Sequence, residues 1–443
     1  MTASRGTKAD PVIRATAPRV YIHPLTLQDA VNHVGSVFMR IVGVDAARSI
    51  AIAMAMTSHV WVETGMGRYV PQGLSEVLRF SFQIATPTFV LLFGTMLEIV
   101  YRPRWADPAS RHGVAVRLVS RALQCWVLYA ISIFTLFLVD DGYSLFFSIG
   151  TVLFMSNSPY TEILKFYAVV LALAPILLWL RNRWGLFPLV AVSLLWQAAW
   201  PLLNALPDIR HDLGLPLHAA RIVKFLTGFG DVPLAGPSVM HGLTLIVAGL
   251  CLGAFLVGGK DRLGDDAAAR TGLQRRVSRL LAAATLVAGV CFLTLPEGTF
   301  TALGDMSLRM SSKPVYFAMG AVMAVWLTAF CIWLADILTL GGTAIWSRLI
   351  FFGRTSMFTF AWGNILLYLV QPKPQTLGQT LFWTMLLLGT ICLMSLVFDR
   401  AVQRSLVVAS SLKRVKQVSD GIAHRLLRGL DHPVLVRDSR RRS

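Results

Sequence analysis

The chain has 443 residues, of which 55% are hydrophobic and only 14% are charged, whereas soluble domains carry about 25% charged residues. That balance excludes a soluble globular enzyme, and apolar runs near the length of a bilayer core recur along the sequence, which marks an integral membrane protein. The net charge of +18 does not imply a nucleic-acid partner, because no aromatic–basic motif accompanies it and Lys and Arg gather in alternate loops and in the tail.

Residues 1–41 are mostly polar and read as a cytoplasmic N-terminal extension, with a possible interfacial helix over 26–40 begun by Thr26 as N-cap. No cleavable signal peptide is expected, since no short apolar core with a small-residue cleavage site opens the chain. Run length and flanking charge then place transmembrane helices near 44–62, 80–100, 117–139, 161–180, 185–203, 237–258, 280–296, 314–338, 355–371 and 376–398. The expected fold is therefore an all-α polytopic membrane protein of about ten spans, with a transmembrane domain over 42–398. The basic stretches at 101–116, 181–184, 259–279 and beyond 399 fall on one side if each run crosses once, which puts both termini in the cytoplasm.

Two stretches resist assignment by length. The run 144–157 is apolar but short, with Gly150 and an Asn157–Pro159 corner, and reads as re-entrant or interfacial. Segment 204–236, rich in Pro, Gly and His, reads as an outward-facing cap. The tail 399–443, with Lys413, Arg414, Lys416, Arg425, Arg428 and Arg440 to Arg442, reads as a basic segment lying on anionic lipid, partly helical. The five cysteines lie in or beside apolar runs without metal or disulfide spacing, so no metal site is expected.

The first span carries the chemistry. In "VDAARSIAIAMAMTSHVWVE" (44–63), Arg48 and His59 are eleven residues apart. At 100° per residue that is about 20° from three full turns, so both share a face, about 16 Å apart along the axis. Arginine at a helix end is commonly a snorkelling anchor and a single histidine is commonly a core residue. The pair on one face favours function, since ionisable groups within the membrane tend to line cavities. Ala47, Ala51 and Ala55 let another helix or a ligand approach. Asp45 can fix the Arg48 guanidinium. Glu63, one turn beyond His59, can hold one imidazole nitrogen, leaving the other to take a proton or to attack an acyl group.

Arg48-x10-His59 resembles the signature of the acyltransferase 3 superfamily of membrane O-acyltransferases, and most closely its osmoregulated periplasmic glucan succinyltransferase-like branch. Three further segments carry the likeness: "TPTFVLLFGTMLEIVYRPR" (86–104), "YTEILKFYAVVLALAPILLWL" (160–180) and "FFGRTSMFTFAWGNILLYL" (351–369). The span beginning "GPSVMHGLTL" at 236 departs from the branch, lacking its polar Trp-Gln element. The resemblance implies transfer of a succinyl or acetyl group from cytoplasmic acyl-CoA, a co-substrate rather than a resident cofactor, to a hydroxyl of a periplasmic glucan, another polysaccharide or a glycolipid. It also implies an inner-membrane location. His59 is then the catalytic base, assisted by Glu63. Arg48 with Asp45, the i, i+4 pair Arg117 and Arg121, and Arg354 are the donor-binding candidates, since CoA phosphates need cations. Glu162 and Lys165 are acceptor-binding candidates, although an i, i+3 ion pair between them is the simpler expectation. Arg79 or Lys165 is a candidate for meeting a succinyl carboxylate. Thr57, Ser58, Gln83 and Asn364 are polar groups at suitable depth, with no oxyanion donor assigned. The expected partners are acyl-CoA, the glycan acceptor and membrane lipids, with no nucleic acid and with a homodimer through span faces. The competing readings are a transporter or flippase of a lipid-linked saccharide, in which His59 couples protons, and a catalytically silent scaffold or sensor resting on the basic tail.

Overall fold

The computed structural model describes residues 41–205, 214, 216–230, 232–258, 266–338 and 350–429, and every regular element among them is helical. Helix α1 spans Val42–Glu63. Helices α2 (Gln72–Gln83) and α3 (Ala85–Met96) continue through a π-helical turn, Leu97–Tyr101, into the short helix Arg102–Ala106. Helix α4 (Pro108–Val139) starts where Asp107 caps the Ala109 amide and Pro108 takes the first helical position, a position where the missing N–H costs nothing. The remaining elements used below are α5 (Leu145–Val152), α6 (Glu162–Trp184), α7 (Phe187–Ala198), α8 (Leu217–Thr227), α9 (Val239–Val257), α10 (Asp266–Thr294), α11 (Pro314–Ile332), α12 (Ser356–Val370), α13 (Leu377–Arg404) and α14 (Leu406–Gly429).

Among the described residues, seven segments are long and apolar enough to cross a membrane: Gln72–Ala106, Pro108–Val139, Glu162–Trp184, Val239–Val257, Thr271–Thr294, Pro314–Ala335 and Leu377–Arg404. Helices α7 and α12 are apolar but shorter. Helix α1 has 22 residues, enough to span, with its apolarity diluted by Asp45, Arg48, His59 and Glu63. The protein is an all-α, multi-pass membrane protein. Each expected run is helical, but several extend further than the apolar residues alone suggested. The second begins at Gln72, the third at Pro108, and the last reaches Arg404, because polar helical turns continue at the ends of the apolar cores.

Helix α1 sits centrally, packed by α3, α11, α12 and the short helix Phe351–Arg354. Its first half buries Val44, Ala46 and Ala47 against Leu91, Leu92, Leu327 and Ile332. Its second half buries Ile52, Met56 and Val60 against Tyr129, Ile133, Phe360 and Ile391. Close helix approach depends on glycine. Gly249 of α9 lies on the Leu91 carbonyl of α3, and Gly94 of α3 lies on the Ile246 carbonyl of α9, so a Cβ at either would overlap the opposite backbone. Small residues at such crossings replace the hydrophobic drive that lipid does not provide.

The run 144–157 does not form a span. It yields only α5, eight residues long and capped by Ser144, about 12 Å of helix. The segment packs on α4, where Trp126 Nε1 and the Tyr129 hydroxyl donate to the carbonyls of Val152 and Thr151. The cap segment contains α8, while the notional interfacial helix at 26–40 and the last residues of the tail, from 430, lie outside the described residues. The described part of the tail, α14, docks on α4. Ala423 is fully buried there, Leu427 packs into the main core, and His424 Nδ1 lies 2.8 Å from His112 Nε2.

Candidate active site

Because α1 is unbroken from Val42 to Glu63, Arg48 and His59 keep the one-face, about 16 Å separation that the helical repeat dictates. At the His59 end the partners come from distant elements. His59 Nδ1 lies 2.8 Å from Asn364 Oδ1 on α12. With the amide oxygen as acceptor, Nδ1 carries the proton and Nε2 keeps its lone pair. Among the described residues Nε2 has no hydrogen-bond partner. The imidazole is flanked by Tyr160, with ring centroids 4.8 Å apart, and by the edge of Phe360 at 5.6 Å.

Glu63 does not hold His59, contrary to expectation. Its Oε2 accepts from the Tyr160 hydroxyl at 2.7 Å. The reason is geometric: residues four apart on a helix are neighbours, but Asn364 reaches the ring from the facing helix and Tyr160 intercepts the carboxylate. Tyr160 sits at φ +60°, a conformation that costs a non-glycine residue roughly 1–2 kcal/mol. Its ring is held between His59 and Tyr368 and its hydroxyl by Glu63. The Tyr368 hydroxyl in turn donates to the Pro159 carbonyl.

The expected Glu162–Lys165 ion pair is also absent. The Glu162 carboxylate takes Arg309 on one oxygen and Asn157 on the other. Lys165 is buried, its ammonium donating to the carbonyls of Ser156 at 2.8 Å and Ala235 at 3.3 Å and lying 4.1 Å from the centre of the Phe225 ring. Arg309 arrives on the short helix Ser307–Met310.

The Arg48 end is built from ion pairs. Arg48 lies 3.8 Å from Asp45, a loose contact on a partly exposed face. Next to them the Gly353 amide donates to Ser49 Oγ at 2.8 Å, which brings Arg354 within electrostatic reach of Asp45. Arg354 forms a two-pronged pair with Asp399 of α13, at 3.0 and 2.6 Å. Tyr167 of α6 donates to the Phe89 carbonyl at 2.7 Å. Arg117 and Arg121, by contrast, are exposed on α4, and neither makes a hydrogen bond or ion pair to α1; Arg121 donates to Gln124 on its own helix.

Sequence reasoning missed four participants. Tyr160, Arg309 and Asp399 had no local signal, since their partners are far away in the chain. Glu98 had a weak one, Arg102 four residues on. This carboxylate, 3% exposed, sits in the π-helical turn and receives Arg102 at 2.6 Å and Arg181 at 2.7 and 3.0 Å. Asn364 was recognised only as a polar residue at the right depth. Among the described residues no cluster of His, Cys, Asp and Glu is placed to hold a metal.

Residues 40–209 match the family described as heparan-alpha-glucosaminide N-acetyltransferase, catalytic. The match spans less than half of the chain, and it is to an acyltransferase-like membrane family. It contains the candidates named from the sequence other than Arg354 and Asn364. No curated protein matches the chain.

Proposed function

We propose that the protein is a multi-pass membrane acyltransferase that takes an acyl group from acyl-CoA at the cytoplasmic face and places it on a hydroxyl or amine of an extracytoplasmic glycan. The observation that carries this reading is the one-face pair on α1, with His59 Nδ1 held by Asn364 and Nε2 left to act as base. Nε2 takes the proton of the acceptor group. The freed lone pair of that oxygen or nitrogen attacks the thioester carbonyl carbon. The carbon–sulfur bond then breaks, and the leaving thiolate recovers the proton from the imidazolium. A base so placed contributes roughly 10²–10⁴-fold. Asn364 keeps the ring in the useful tautomer, and the Tyr160–Glu63 pair fixes the wall beside it.

Arg48, with Arg354 beside it, suits the phosphates of CoA at the cytoplasmic mouth. An extended pantetheine arm is of the order needed to reach His59, about 16 Å deeper. We take acetyl over succinyl as the acyl group: a succinyl chain ends in a second carboxylate, and Lys165, one of the two cations expected to meet it, is held by two carbonyls. The likeness to an N-acetyltransferase family supports the same choice. In a bacterial host this reading places the protein in the inner membrane, with a periplasmic glucan among the possible acceptors.

The test is mass spectrometry of cell-envelope glycans from a strain lacking the gene, complemented with either the wild type or His59→Ala at matched membrane levels. An acyl ester or amide found only with the wild type is the expected result. Identical glycans in all three strains would contradict the proposal.

A further inference from the structure

Helix α14 follows the last span almost without a break. Helix α13 ends at Arg404, Ser405 is extended at φ −98° and ψ 115°, and α14 starts at Leu406. The apolar run of α13 stops at Phe398, so Ser405 lies about 10 Å of helix beyond it, at the edge of the headgroup layer. A single linking residue cannot carry the start of α14 away from the membrane surface. Leu406 and Val407, the first residues of the helix, are nevertheless 87% and 74% exposed on the protein.

The helix has three faces. At about 100° per residue, Ala423, Leu427 and His424 fall within about 100° of one another and form the face that docks on α4. Val415, Val418, Ile422 and Leu426 fall within about 80° of one another, centred about 150° away from the docked face, and are 46–63% exposed. Arg414, Arg425 and Arg428, all exposed, occupy the arc between these two faces on one side. The helix carries five cations, Lys413, Arg414, Lys416, Arg425 and Arg428, against the one carboxylate of Asp420.

An apolar strip turned away from the protein and edged by arginines calls for a cover that is apolar in its depth and anionic at its rim. A bilayer containing acidic phospholipid has both, at the level to which α13 delivers the helix. A neutral bilayer would take the apolar strip and leave the arginines without counter-charge. We propose that α14 is an anionic-lipid clamp. Held to α4 by one face, it seats Val415, Val418, Ile422 and Leu426 in the boundary between headgroups and acyl chains and sets Arg414, Arg425 and Arg428 on the phosphates of acidic phospholipids. The clamp is a second binding surface and stands apart from the chemistry at His59.

The experiment uses the full chain in nanodiscs of equal parts phosphatidylcholine and phosphatidylglycerol. A trace of one lipid or the other carries a photoreactive group on its acyl chain, and cross-linked peptides are mapped by mass spectrometry. The phosphatidylglycerol probe should label residues 406–429 at least about fivefold more than the phosphatidylcholine probe, the worth of one cation at an anionic surface. In the triple variant Arg414→Gln, Arg425→Gln, Arg428→Gln the two probes should label this segment alike, with labelling of the spans unchanged as the sign of an intact fold. Equal labelling by the two probes in the wild type, a preference that survives the triple variant, or no labelling of 406–429 by either probe would overturn the clamp.

Discussion

At one end of α1, Arg48 and Asp45 are local partners three residues apart, 3.8 Å from each other, with Arg354 and Asp399 forming a second ion pair close by. At the other end, His59 is held by a neutral amide 305 residues away and walled by a tyrosine whose hydroxyl goes to Glu63. Paired charges at a partly exposed mouth can exchange one anion for another, which suits a site that must capture and release a charged donor. A fixed tautomer held by a directional hydrogen bond suits a proton transfer. On the proposed reading, binding falls to the first end and chemistry to the second.

Substitutions at the two ends should therefore differ in kind. The largest effect after removal of His59 itself is expected for Asn364→Leu. Losing the acceptor for Nδ1–H lets the ring turn or change tautomer, and kcat should fall roughly 100-fold with little change in the KM for acyl-CoA. A change confined to KM would break the contrast. Arg48→Gln should act in the opposite sense, raising the KM for acyl-CoA about tenfold, the worth of one charge-assisted phosphate contact, with kcat nearly kept. High salt should reproduce part of that effect in the wild type.

The smallest effect concerns the tail and sharpens the contrast by lying outside it. The 2.8 Å contact between His112 Nε2 and His424 Nδ1 needs a lone pair on one of the two rings, so protonation of both, which sets in below the ordinary imidazole pKa of about 6.5, breaks it. The docked state therefore disfavours a second proton that the undocked state accepts, and docking of α14 on α4 should weaken as pH falls below about 6.5. Hydrogen exchange of residues 406–429 measured at pH 7.5 and pH 5.5 would show it, with faster exchange at the lower pH and no matching change in α1.

The first end was more legible from the sequence than the second. The helical repeat alone put Arg48 and His59 on one face, and Asp45 was readable as a partner because i, i+3 neighbours meet on a helix. The same local rule misled at Glu63 and at Glu162. Each had a chemically sensible neighbour one turn away, and in each case a residue from another element won: Tyr160 over His59, and Arg309 over Lys165. Such partners depend on how helices cross, which is set by glycine contacts such as Gly94 and Gly249 that no local pattern reveals. The span positions followed from apolar run length, while their ends did not, since capping by Asp107 and polar turns such as Gln72–Arg79 lengthen helices beyond the hydrocarbon. The tail's basic, partly helical character was readable, but its docking through Ala423 and His424 was not.

The most direct test of the account is transfer of label from radiolabelled acetyl-CoA to a glycan acceptor by purified protein in sealed vesicles, comparing the wild type with His59→Ala. The account predicts labelled glycan with the wild type and a loss of at least about 100-fold in His59→Ala, with acetyl-CoA binding retained in both. Undiminished transfer by His59→Ala would contradict it.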